Sequence, residues 1–197
     1  MSLPKLPVEV ISYILSFLPP SSLATASRVT HLFNHESEFY LYRNVYIDHE
    51  IQFRLFLQAT AGSHRRKHLV QSLVCDVSIP FATLVSVLKG SFRNLTRLSC
   101  LPWSLPTISE FPLPAMVLPM EGPNTNVLKL QCLTCDPHVN EDFISFLKTQ
   151  PTITSLDIVS ESVSCIPSAD ILPALEKISC SASDLPFFVR GRPLTQV

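Results

Sequence analysis

The sequence predicts a mixed α/β chain: a small N-terminal helical module, then an irregular array of strands and helices with a parallel sheet. Apolar residues up to position 47 follow the helical period in short runs broken by proline. From about residue 66 a different signature, apolar-x-x-apolar-x-apolar, recurs along the chain. Helical patterns separate several of these recurrences, and strands that alternate with helices pair in parallel.

In the helical module, Val10, Ile11, Ile14, Leu15 and Leu18 recur at the helical spacing and predict a helix over 7–18. Pro7 suits its first turn, where a missing N–H costs nothing. Pro19-Pro20 ends it, because the residue before a proline avoids the helical region. Ser21 or Ser22 is placed to cap a second short helix through Leu23, Ala24 and Ala26. A third helix is expected over Thr30–Glu38, burying Phe33. Leu41–Ile47 is β-branched and aromatic and predicts an extended segment. Asp48 is then expected to cap a fourth helix that carries Ile51, Leu55 and Phe56 and ends near Gly62.

The recurring signature appears in Leu69–Cys75, Leu95–Cys100, Val127–Cys132, Ile153–Ile158 and Leu175–Cys180. Aligned, these put Leu73, Leu98, Leu130, Leu156 and Ile178 in equivalent places, spaced by 25, 32, 26 and 22 residues. The long interval holds an insertion, 101–123, whose six prolines oppose helix and ladder alike. Phe81–Leu88 places Leu84, Val85 and Leu88 on one helical face. Glu141–Lys148 does the same with Phe143, Ile144 and Leu147, after a capping Asn140. Pro193–Val197 matches Pro173–Ile178 in its apolar positions, so the array is expected to be truncated at the C-terminus inside a further strand.

The 197 residues are 46% hydrophobic and 16% charged, with a net charge of −1. No overall field draws such a chain to nucleic acid or to an anionic membrane. No apolar run approaches the roughly 20 residues of a spanning helix. Val10–Leu18 lacks the basic start and cleavage site of a secretory signal. The expected location is therefore the cytoplasm, the nucleus or both, where the sequon Asn94-Leu95-Thr96 stays unmodified. The four glycines are isolated, which excludes phosphate cradles and nucleophile elbows.

In the alignment Cys75, Cys100, Cys132 and Cys180 share one apolar column, with Ile158 in the same place, so they read as buried small hydrophobes. Cys132-x-x-Cys135 with His138 has partial metal spacing, but a closed zinc site needs four ligands. Neither metal nor cofactor is expected. His31, His35, His49 and His64 lack a linked nucleophile or carboxylate spacing and read as surface or capping residues. His64-Arg65-Arg66-Lys67-His68 reads as a solvated loop, with a nuclear-import or acidic-partner site as the alternative.

Leu6-Pro7-x-Glu9, Ile14-Leu15-Ser16-Phe17-Leu18-Pro19-Pro20, then Leu23, Val29 and Phe33 in order resemble an F-box, the docking motif of substrate receptors in SCF-type ubiquitin ligases. Many F-boxes carry Trp where this chain has Phe33, a smaller aromatic anchor. The array resembles the degenerate leucine-rich-repeat solenoids common in F-box proteins, with repeats of roughly 20–29 residues. The resemblance implies an F-box over 1–47, a linking helix over 48–65 and repeats over 66–197. It implies a non-catalytic adaptor. Leu6, Pro7, Ile14, Leu15, Leu18, Pro19, Leu23, Val29 and Phe33 would be buried partly within the module and partly on a small Skp-type adaptor, which links to a cullin and a RING subunit.

In a parallel ladder the residues flanking each buried position share the other face. Ser72, Arg97, Lys129, Ser155 and Lys177 form one expected column, and Val74, Ser99, Gln131, Asp157 and Ser179 the next. From these, Arg97, Ser99, Lys129, Gln131, Ser155, Asp157, Lys177 and Ser179 are the expected contacts to a protein target, one with acidic or phosphorylated residues. Two other function classes stay open at this point: a scaffold that docks the adaptor without assembling a ligase, and a thiol enzyme using Cys132 and Cys135.

Overall fold

The computed structural model describes residues 6–77, 81–88, 91–100, 128–136, 141–159, 170–189, 192 and 194–196. The expected insertion over 101–123, the cap Asn140 and His138 lie outside the described residues. The chain opens with helices α1 (Val8–Leu15), α2 (Pro20–Ala26) and α3 (His31–Arg43). Pro7 precedes α1 in extended backbone, and Pro19 does so for α2. Ser21 and Ser22 lie inside α2 and do not cap it; Pro20 occupies its first turn.

Thr30 caps α3, accepting a 3.2 Å hydrogen bond from the Phe33 N–H. This helix passes the expected end at Glu38 and reaches Arg43, so the extended segment shrinks to β1 (Asn44–Ile47). Packing explains the extension. Tyr40 and Leu41 rest on the core of the helical module and Tyr42 on the core of the sheet. A helix turns successive side chains toward different neighbours in this way.

Helix α4 (Glu50–Ala61) ends at Gly62 as expected, but Phe53, Phe56, Leu57 and Thr60 form its buried face. Ile51 and Leu55 are exposed. His49 precedes it, and Asp48 is not the cap: its N–H donates to the Gln52 side chain. The basic cluster is no loop. It forms α5 (His64–Leu69), capped by Ser63, which accepts from the Arg66 N–H.

Strands β1, β2 (Ser72–Cys75), β3 (Arg97–Cys100), β4 (Cys132–Cys135), β5 (Ser155–Ile158) and β6 (Lys177–Ser179) form one parallel sheet in sequence order. Helix α6 (Phe81–Leu88) falls between β2 and β3, α7 (Glu141–Lys148) between β4 and β5, and α8 (Leu185–Val189) after β6. The head of each strand after β1 uses the same device. The N–H groups of Gln71, Thr96, Gln131, Thr154, Glu176 and Thr195 each donate to the carbonyl of the preceding one, beginning at Arg43, over 2.8 to 3.0 Å. The hydroxyls of Thr96, Thr154 and Thr195 donate to the same carbonyls, using their second lone pair.

The residue before each of these positions is apolar and packs inward: Val70, Leu95, Leu130, Ile153 and Leu175 are buried and Leu194 partly so. This corrects the alignment at β4. Leu130 is the counterpart of Leu95, and Leu133 pairs with Leu98 and Leu156. The slip arises because Val127-x-x-Leu130-x-Cys132 and Leu130-x-x-Leu133-x-Cys135 both satisfy the signature. Lys129 and Gln131 therefore precede β4, and Cys132 and Thr134 take their columns.

The buried face of the sheet carries Leu73, Leu98, Leu133, Leu156 and Ile178 in one row and Ile47, Cys75, Cys100, Cys135 and Ile158 in the next. Leu84, Leu88, Phe92, Leu147 and Phe188 belong to the same buried cluster as these rows. Full burial of each such side chain is worth about 1.5–3 kcal/mol against exposure. Gln196 bridges Lys177 in parallel, which puts Leu194 and Thr195 in the places of Leu175 and Glu176, as the tail match predicts.

Candidate functional site

The helical module has a core of its own, and a small one. Leu15 (1% exposed), Leu23 (4%) and Ile11 are its buried residues, with Leu18, Ala26, Phe33, Tyr40 and Leu41 partly buried around them. The Ser12 and Tyr40 hydroxyls meet at 3.0 Å across α1 and α3. The residues expected to face a partner therefore divide. Leu6, Pro7, Ile14, Pro19 and Val29 are exposed, Leu18 and Phe33 lie at the margin, and Leu15 and Leu23 hold the helices together.

Sequence reasoning named Ile14 for a partner but not the exposed apolar residues beside it on α1 and just past its end. Val10, Ile14 and Phe17 continue the exposed surface, and Tyr13 packs edge-on against Phe17 at 4.9 Å. Tyr13 and Phe17 are 67% and 69% exposed. The i, i+4, i+7 spacing of Val10, Ile14 and Phe17 carries the signal, but it is interleaved with the stripe of Ile11 and Leu15. Among the described residues one apolar side of this short helix packs on the module's core and the other is exposed.

The second surface is the face of the sheet turned away from the core. Its first row is Asn44, Ser72, Arg97, Cys132, Ser155 and Lys177; its second is Tyr46, Val74, Ser99, Thr134, Asp157 and Ser179. The ladder continues one residue further, where the Asp76 N–H donates to the Ile47 carbonyl and the Asp136 N–H to that of Cys100. The Tyr46 hydroxyl donates to Asp76 at 3.4 Å, and slight desolvation, then the charges of Asp76 and Asp48, raise its pKa.

The two surfaces are joined by an ionic clamp. Glu38 on α3 is buried and receives both Arg65 and Arg66 from α5, Arg66 at 2.7 Å. Arg65 also donates to the His35 carbonyl at 2.7 Å, and Arg66 to that of Ala59 at 3.0 Å. The Arg66 guanidinium lies 5.5 Å from the Tyr42 ring centroid. The hydrogen bond to Glu38 raises the Arg66 pKa further. Cations that read as a solvated loop are thus internal struts.

Cys75, Cys100 and Cys135 sit in surroundings that suppress their chemistry. Burial pushes Cys75 up to about 12. Burial and then the neighbouring Cys75 raise Cys100; burial, then Cys100, Asp157 and Asp136, raise Cys135 well above the ordinary range. A nucleophilic or metal-binding cysteine must be a thiolate, and these hold their protons. Cys132 and Cys135 stand three apart on one strand, so they point to opposite faces. Among the described residues no group of three or more metal-capable side chains assembles, and no helix is long and apolar enough to cross a membrane.

Residues 3–48 match the F-box-like family. No curated protein matches the chain. The matched stretch takes in α1, α2, α3 and β1, so the chain carries an F-box-like domain whose final strand is the first strand of the sheet.

Proposed function

We propose that this chain is a non-catalytic substrate-recognition adaptor of an SCF-type E3 ubiquitin ligase. The F-box-like domain docks a Skp-type adaptor and through it a cullin and a RING subunit, and the sheet captures a protein target for ubiquitination. The observation that carries the reading is an F-box-like domain with an uncovered apolar face: Leu6, Pro7, Val10, Ile14, Phe17 and Val29. The repeated strand head and the sequence-ordered parallel sheet support a degenerate leucine-rich-repeat solenoid as the target-binding half. The chain's contribution is proximity, which raises the effective concentration of target lysines at the charged enzyme. It acts in the cytoplasm, the nucleus or both.

Co-expression with a Skp-type adaptor and a cullin tests this. Ile14 is half exposed, so Ile14→Asp should leave the fold intact and weaken adaptor capture by at least about tenfold, the effect of removing one well-packed apolar anchor. Capture of the adaptor by the Ile14→Asp chain at full strength would refute the docking face. Adaptor without cullin in the purified complex would replace the ligase with a scaffold.

A further inference from the structure

The charges on the sheet face turned away from the core are sorted by position along the strands. Arg97 and Lys177 stand at the strand heads, and Asp48, Asp76 and Asp136 one residue past the strand ends, with Asp157 one row short of them. Between lie neutral side chains: Tyr46, Val74, Ser99, Thr134 and Ser179. Register fixes the geometry around β3. Asp76 and Asp136 continue the strands on either side of it, four residues beyond the partners of Arg97. Four residues of strand span about 13 Å, and two strand spacings about 10 Å.

These lengths decide how a partner sees the face. At physiological salt exposed charges are screened beyond about 8 Å, so Arg97 and the two carboxylates do not neutralise one another. Each remains available to a charge brought against it. Lys177 and Asp157 repeat the polarity on β6 and β5. The corrected register also removes Lys129 from the basic row and puts the neutral Cys132 there. A uniformly acidic partner would meet two cations here and run onto four carboxylates.

We propose that this face takes an extended segment of a protein target bearing an acidic and a basic side chain four residues apart, the acid over Arg97 and the base between Asp76 and Asp136. Residues i and i+4 of an extended segment share a side and match the spacing of the two rows. The inference deepens the target-capture reading above and rests on it. The Tyr46 hydroxyl reaches Asp76 at 3.4 Å and lines one wall of the basic subsite.

A randomised library of displayed peptides, selected on the full chain immobilised by a terminal tag, tests it. The expected result is enrichment of opposite charges four apart, about tenfold over uniformly charged sequences, a ratio typical of paired rim charges acting together. The Arg97→Glu chain should select a base where the unaltered chain selects an acid. The double variant Asp76→Lys, Asp136→Lys should select an acid where it selects a base. Inverted preference is a result that misfolding cannot produce. Enrichment of uniformly acidic peptides that Arg97→Glu abolishes would keep target capture on this face and overturn the paired-charge inference. No enrichment, or the same enrichment in all three chains, would overturn it as well. Adaptor binding is read separately on the same samples, and its loss beside an intact charge pattern counts against the ligase reading alone.

Discussion

Cys75, Cys100 and Cys135 are side by side on adjacent strands and face the core. A thiol with a raised pKa keeps its proton after the unfolded chain has lost its own. The stability it contributes is full below the ordinary value of 9.0 and is lost as pH climbs toward about 12. Urea midpoints should therefore fall between about pH 8 and about pH 10.5, and Cys75→Ala should flatten that slope while lowering stability at neutral pH. Native protein should resist iodoacetamide at these three positions and react after unfolding. The column was legible in the sequence at Cys75 and Cys100. At β4 it was not, because a pattern of period three tolerates a shift of three, and only the backbone ladder separates Cys132 from Cys135.

Elements that depend on partners distant in sequence are the ones the sequence hid. Helix α5 has few apolar residues and no helical stripe; Ser63 starts it and Glu38, far upstream, holds two of its cations. Helix α4 carries two stripes, and apolarity alone did not say that Phe53, Phe56 and Leu57 would turn inward while Ile51 and Leu55 turned out. By contrast the existence of α1 was plain from its apolar period, but its end was not: it stops at Leu15 with Ser16 as its C-cap, three residues short of the end at Leu18 that Pro19-Pro20 predicts. Glu38→Ala should cost about 1–3 kcal/mol, less than for a fully buried pair because both arginines are about one-third exposed. Chemical denaturation measures the loss, and Arg65→Ala and Arg66→Ala made in the Glu38→Ala background should add less than they do alone.

At the scale of the molecule the described residues form two cores of unequal size. The sheet core runs from Ile47 to Phe188, whereas the helical module buries Ile11, Leu15 and Leu23. So few buried side chains leave α1 and α2 near the low end of local stability. A ligand that binds the folded state adds its own free energy to that state. Amide exchange in α1 and α2 should be faster than in β2–β5 and, on the proposed function, should slow on addition of a Skp-type adaptor, with the sheet unchanged. Equal protection throughout the free chain would contradict this division. The two-part plan was visible in the change of hydrophobic period. That the parts share α3 and β1 was not, because a helix and a strand met inside a run that reads as strand alone.

Arg43 closes α3 and Asn44 opens β1, with nothing between them. On the proposed function this junction turns docking angle into reach. Six strands at the usual spacing put β6 about 24 Å from β1, so a tilt of about ten degrees at the junction carries β6 through about 4 Å and β2 through about 1 Å. A target gripped near β6 sweeps a wide arc before the ubiquitin-charged enzyme, and one gripped near β1 presents nearly the same lysines at every tilt. Where along the sheet a target is held thus sets how many of its lysines come within range.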